Sequence, residues 1–412
     1  MRVLMLSDGE TRGGASTAAA RAALGLCRLG HEVLRVVRFP DPGSHPWRTE
    51  VLETPAALVT DWEAPFRPEA KALVRDMLTT VLRRFRPQAV SVHNLHGATR
   101  HGWSVDLVAT CAEVAPTVWT LHDLWSCTGR CAYTDGCERH LTGCGEDCPS
   151  WRVYPACPPG EIAARQREKR GVPARFPDLT AAAPSAWLAR TARKGLWAGH
   201  RVEALANGLD LDVFRPVERG EARRALGLEP DGRVLLAASL LLDDPRKGGD
   251  LLLRALDFLD EPVTLLLMGG GSLTVANPKV AARPLGLVTD DAVKTLAFSA
   301  ADVLLHPARE DNLPNTVAEA LACGTPVAGF AVGGVTEMLA EGAGSVAGAL
   351  TPEALALAVR EVLARDPAEA RERCRFLAER RYDLLGQARA LTRLFEETAE
   401  ARADQARRAA RQ

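Results

Sequence analysis

Lysine is scarce in this 412-residue chain: six residues, at 71, 169, 194, 247, 279 and 294, stand against 45 arginines. A lysine inside a motif is therefore less readily dismissed as filler. No apolar run approaches the roughly 20 residues that a membrane helix needs, so no transmembrane span is expected. Excess charge of either sign is also missing. Lys and Arg number 51 against 52 for Asp and Glu, which argues against a basic coat for nucleic acid. The opening Met1-Arg2-Val3-Leu4-Met5-Leu6-Ser7-Asp8 has too short an apolar core for a signal peptide. The expectation is a cytoplasmic protein, with peripheral contact at the inner membrane face as a further option.

What is present is ordinary globular material. Hydrophobic residues make up 47% and charged residues 25%, which excludes a mainly disordered chain. At about 150 residues per domain, the length suggests two or three domains. Short apolar runs at 2–7, 32–39, 89–93 and 117–121 alternate with helical patterns at 16–29, 68–85 and 105–113. A second alternation places strands at 234–239, 263–268, 303–307 and 326–330, with helices at 250–258, 290–300, 315–322 and 351–365. This order predicts two parallel α/β units, with helices on both faces of each sheet. The expected domains are residues 1–205, 206–385 and a C-terminal helix over 386–412 that packs back toward the N-terminal domain. Sheets of this kind bind ligands outside the carboxyl ends of their strands, so a cleft between the two units is the expected site.

Seven of the ten cysteines fall between Cys111 and Cys157, and the periodic pattern stops over about 127–160. Cys131, Cys137, Cys144 and Cys148 could hold a structural Zn²⁺ in this irregular insertion. The spacing lacks C-x2-C pairs, and packed thiols or a disulfide stay open.

Two loops carry the chemistry. Asp8-Gly9-Glu10-Thr11-Arg12-Gly13-Gly14-Ala15-Ser16 joins the first strand to the first helix, where Gly13 and Gly14 let backbone approach a ligand. Its spacing is neither Gly-x-Gly-x-x-Gly nor a Walker loop. The second runs from His306 to Val327. Here Asn315 or Thr316 is expected to cap a helix ending at Gly324. Asp311 and Glu319, eight residues apart, frame backbone amides suited to a sugar nucleotide. The alternative makes Asp311 a turn former and Glu319 a surface residue.

This second stretch resembles the E-x7-E signature of retaining GT-B glycosyltransferases of the glycogen-synthase-like type, family 4. It is similar to a branch reading E-N-x-P-N-x-x-x-E-A-x-A-C-G-T-P-V. Gly13-Gly14-Ala15, Leu121-His122-Asp123-Leu124-Trp125, Asn207-Gly208-Leu209-Asp210, Asp244-Pro245-Arg246-Lys247-Gly248 and Val332-Gly333-Gly334 resemble further family segments in the same order.

The resemblance implies two Rossmann-like domains facing a central cleft, with a Cys-rich insertion in the first. It implies transfer of a sugar from a nucleoside-diphosphate sugar to a hydroxyl of a glycan, a lipid-linked glycan or a small molecule, with retention and no catalytic metal. By it, Glu319 would grip the donor ribose, while Arg246 and Lys247 would neutralise the departing diphosphate. Asn312, Leu313, Pro314, Asn315 and Thr316 would flank the donor. Asn312 and Leu313 would offer N–H groups, and Gly286 and Val288 would meet the nucleobase. His122 would stand beside the donor sugar, with Asp123 and His96 on the acceptor side. The family's first Glu falls on Asp311, one methylene shorter, with Glu310 beside it, so either could reach the donor sugar. Two other readings are a sugar-nucleotide epimerase of the same fold and a non-catalytic, metal-stabilised binding protein.

Overall fold

The computed structural model describes residues 1–62 and 64–411, which divide into two compact units. The first comprises Met1–Gly208 and Leu385–Gln412, of which Gln412 lies outside the described residues; the second comprises Leu209–Leu384.

The first unit holds seven parallel strands: β1 (Arg2–Gly9), β2 (Glu32–Phe39), β3 (Arg48–Val51), β4 (Ala89–Val92), β5 (Thr117–Thr120), β6 (Thr180–Ala183) and β7 (Val202–Ala204). Their order in the sheet is β3-β2-β1-β4-β5-β6-β7. Residues 3 to 6 of β1 are fully buried, because both faces of the sheet are covered. Leu4 and Leu6 face a core with Val36, Val92 and Trp197. Val3 and Met5 face the opposite side, with Leu26 and with Leu391 and Phe395 of the final helix, Leu384–Ala409. The period-2 alternation of side chains thus serves two cores at once.

The second unit repeats the plan with β8 (Arg233–Leu241), β9 (Val263–Gly270), β10 (Val280–Gly286), β11 (Val303–His306), β12 (Val327–Phe330) and β13 (Gly344–Ala347). All six are parallel, in the order β10-β9-β8-β11-β12-β13. In each sheet the order reverses beside the first strand, between β1 and β4 and between β8 and β11. That switch point opens a crevice at the carboxyl ends of the strands.

Five strands escape the periodicity: β3, β6, β7, β10 and β13. They are short or, like β10 (Val-Ala-Ala-Arg-Pro-Leu-Gly), lie at a sheet edge where polar residues and proline are tolerated. The irregular insertion ends where the helix Pro159–Arg175 begins, and it contains one short helix, Arg139–Thr142.

Candidate functional site

At the switch point of the second sheet, β8 leads into a 3₁₀ turn, Pro245–Lys247, and β11 leads into residues 307–314. Asp244 Oδ1 accepts the N–H of Arg246 (2.9 Å) and thereby starts the turn. Gly248 ends it at φ +69°, and a Cβ there would stand 1.9 Å from the carbonyl oxygen of Pro307. Glycine therefore lets the two loops touch through backbone. Arg309 fastens them further. Its N–H donates to Arg246 O (2.8 Å), and its guanidinium donates to Pro245 O (2.8 Å) and in a fork to Asp250 (2.7 and 2.7 Å).

This staple delivers Lys247 Nζ to Asp311 Oδ2 at 2.6 Å. Arg246 lies 3.9 Å from the same carboxylate and donates to the Glu310 carbonyl (3.0 Å). Burial alone would raise the Asp311 pKa, but Lys247, with His306 and Arg246 behind it, holds it at about 2. Asp311 thus faces both cations. Gly333, at φ +50°, packs so closely that a Cβ would meet Asp311 O at 1.8 Å, while Gly334 N–H donates to Asn312 O (2.9 Å). His306 is buried and its pKa falls to about 4, chiefly through desolvation. Its Nε2 has no hydrogen-bond partner and sits 3.6 Å from Asp311, too far for a bond.

Two expectations for this loop need correction. Pro314, not Asn315 or Thr316, occupies the N-cap of the helix Asn315–Ala322 and supplies no side-chain acceptor. The Asn312 N–H, expected to face the donor, is taken by Asp311 Oδ1 at 3.1 Å. Glu319, on that helix, is 5% exposed, which removes the surface-residue alternative. Gly286 closes β10 at φ +68° with open space where a Cβ would be, and Leu287 beside Val288 is exposed.

The corresponding edge of the first sheet is buried and polar. His96 Nε2 pairs with Asp123 Oδ2 at 2.8 Å, and His96 Nδ1 meets Tyr154 Oη at 3.1 Å. Burial disfavours the imidazolium, but Asp123 prevails and raises the His96 pKa. Asp123 is held below the usual range mainly by His96, against its own desolvation. Asp8, at the end of β1, accepts the N–H groups of Gly97 (2.7 Å) and Gly9 (2.8 Å), and burial raises its pKa.

His122 Nε2 lies 2.9 Å from His93 Nδ1, whose other nitrogen meets Ser91 Oγ at 3.1 Å. Desolvation lowers both histidines, His122 to about 4, so the pair is neutral at pH 7 and shares a single proton between the facing nitrogens. Gly13 caps the helix Gly14–Arg28 at φ +90°, and neither Gly13 nor Gly14 would clash with a Cβ.

Sequence reasoning passed over Asp8, Tyr154, Arg309 and Asp250. Asp8 ends an apolar strand and could have been flagged by that position. The others enter through contacts between residues 58, 59 or 64 positions apart in the chain, which leave no local signal. Arg402, on the final helix, is engaged inside the protein: it donates to Glu113 O (2.8 Å) and Ala115 O (3.3 Å) at the end of the helix Asp106–Val114.

All ten cysteines are free. Cys131 and Cys148 each approach Ser150 Oγ, at 4.0 and 3.9 Å, and Cys144 Sγ accepts the Gly129 N–H (3.3 Å). Among the described residues, no three His, Cys, Asp or Glu side chains are grouped so as to hold a metal ion.

Against known families, residues 12–213 match the model described as Glycosyltransferase Family 4, and residues 232–365 match Glycosyl transferases group 1. The chain carries two glycosyltransferase domains.

Among the relatives of these domains is the Escherichia coli (strain K12) glycosyl transferase WcaC, provisionally named for colanic acid biosynthesis. It is 30% identical over 269 residues, which cover 61% of this chain and 62% of WcaC. A D-inositol 3-phosphate glycosyltransferase of Mycolicibacterium gilvum is 34% identical over 185 residues, 40% of each chain. The chain thus spans less than two thirds of either relative. Sucrose-phosphate synthase from Thermosynechococcus elongatus superposes with a TM-score of 0.71 at 20% identity, covering 97% of this chain and 100% of the other. Anabaena Alr3699/HepE in complex with UDP-glucose gives 0.66 at 17%, covering 98% and 100%. At such identities the likeness concerns the fold, which is that of the GT-B glycosyltransferases.

Proposed function

We propose that the protein transfers a sugar from a nucleoside-diphosphate sugar to an acceptor hydroxyl with retention at the anomeric carbon. The observation that carries this reading is the Lys247–Asp311 pair at 2.6 Å, held at the β8/β11 switch point with Arg246 alongside. A dianionic diphosphate competes with Asp311 for Lys247 and Arg246. As the bond from the anomeric carbon to the diphosphate oxygen breaks, these cations take up the charge released on the leaving group. The acceptor oxygen then bonds to that carbon, and its proton passes to the departing phosphate oxygen. The UDP-glucose complex of Anabaena HepE, a neighbour in fold, supports a nucleotide-sugar donor.

Glu319 is the proposed ribose ligand, because its buried carboxylate lies on the helix that follows the donor loop. Asp123, His96 and neutral His122 are assigned in this proposal to the acceptor side, where polar side chains would meet hydroxyl groups. The family resemblance supports a reaction without catalytic metal, and the four thiols at 131, 137, 144 and 148 are kept as a proposed structural zinc site, read by metal content per chain. The test of function is a panel of nucleoside diphosphates and their sugars in thermal-shift titrations, followed by product analysis with acceptors. A Tm rise with one diphosphate, lost in Lys247→Ala, is expected. No response to any diphosphate would overturn the reading.

A further inference from the structure

A cavity of about 760 Å³ opens in the first unit, away from the residues assigned above. Arg38, Arg67, Arg100 and His101 line it, with Thr54, Thr60, Glu53 and Asp61. Its frame is built of partly buried polar contacts. Thr54 Oγ1 donates to His101 O (2.7 Å), Thr60 N–H donates to Arg100 O (3.1 Å), and Arg100 Nε donates back to Thr60 O (2.6 Å).

Among the described residues, two polar groups of this frame lack partners. Arg38 Nε is shielded from solvent without a hydrogen-bond acceptor, and so is His101 Nδ1. The Arg38 guanidinium lies over the Phe39 ring (5.1 Å), and Phe39 meets the His101 ring edge-on (5.3 Å). An unpaired, half-buried guanidinium is costly unless an acceptor from outside completes it. Of the two opposing carboxylates, Asp61 is 96% exposed and 3.9 Å from Arg100, and Glu53 has an exposed residue surface. Both are screened by water, as is exposed Arg67, whose guanidinium donates to Ala57 O (2.8 Å), so Arg38 and Arg100 are the cations that set the charge of the interior.

We infer that this cavity binds an oxyanion, phosphoryl or carboxylate, carried by the acceptor. The inference rests on the proposed transferase reading for the word acceptor, while the anion site stands on geometry alone. Arg38 is the penultimate residue of β2, and His101 ends the 3₁₀ helix His96–His101, whose first residue pairs with Asp123. Five residues at about 2.0 Å each put the cavity roughly 10 Å from that pair. An acceptor with its anion beside Arg38 could thus present a hydroxyl one or two sugar rings away.

Calorimetric titration of the full chain with inorganic phosphate and, separately, glucuronate tests this, with glucose as the neutral control. A Lys247→Ala background keeps the anions from the proposed diphosphate grip. Saturable binding of either anion is expected, weakened at least tenfold by Arg38→Gln and partly restored by Arg38→Lys. Arg38 makes no hydrogen bond or ion pair among the described residues, so these variants should fold; matching circular dichroism and Tm check it. Equal binding in Arg38→Gln, or no saturable binding of either anion, overturns the proposal. Nucleotide affinity of the wild type, measured alongside, reads the transferase proposal independently.

Discussion

The two switch points share a strand order and differ in chemistry. Between β8 and β11, cations stand partly exposed, stapled by Gly248 and Gly333 to a carboxylate held near pKa 2. Between β1 and β4, histidines and carboxylates are buried against one another, and His93 and His122 are neutral. Partly exposed cations suit an incoming polyanion, because they need not be desolvated before it arrives. Buried neutral imidazoles suit hydroxyl groups, which offer hydrogen bonds and no charge. One edge of one fold thus presents opposite electrostatic characters through the side chains that follow its strands.

The largest effect should come from Lys247→Ala. It is expected to lower kcat/KM about a thousandfold, on the order of 4 kcal/mol of transition-state stabilisation, with the circular dichroism spectrum unchanged. Steady-state rates with the donor found by the panel measure it, and a loss below threefold would break the assignment of the cationic edge. On the proposed ribose contact, Glu319→Ala should weaken nucleoside-diphosphate affinity by about 10- to 100-fold, since hydrogen bonds to a buried carboxylate are charge-assisted. Calorimetric titration reads this directly.

The pH response sharpens the contrast. The folded pKa of His306 lies near 4, below the 6.5 of the free side chain. Protonation therefore favours the unfolded chain: the contribution is complete above pH 6.5 and fades as pH falls toward 4. It amounts to on the order of 3 kcal/mol at most. His306→Asn should flatten that part of the stability profile, measured by urea unfolding at several pH values. His96 has the opposite sign. Its raised pKa stabilises the fold below pH 6.5, and this is lost as pH rises through the folded value. Asp123→Asn should remove the effect and bring the His96 titration, followed by NMR, below 6.5. The smallest change is expected from Arg309→Lys, which keeps the charge but loses the fork to Asp250. A severalfold rise in KM for the donor, with kcat nearly unchanged, would mark Arg309 as a positioning residue.

Much of this was legible beforehand because it is local. Helices such as 68–85 and 315–322 follow from their periodicity, and the apolar runs 32–39 and 117–121 lie where strands form. The pairing of Lys247 with Asp311 was not legible, since 64 residues separate them. Nor was the loss of the Asn312 N–H to its neighbour's carboxylate, which depends on the loop's own turn. The edge strand β10 carries arginine and proline, so its composition concealed it.

The order of strands and helices, and the loops that bear polar residues, belong to the sequence itself, because side-chain period and turn residues act over a few positions. Which of those loops meet, which carboxylate faces a cation and which imidazole stays neutral were decided by tertiary structure. Desolvation and close approach exist only once distant segments of the chain have packed together.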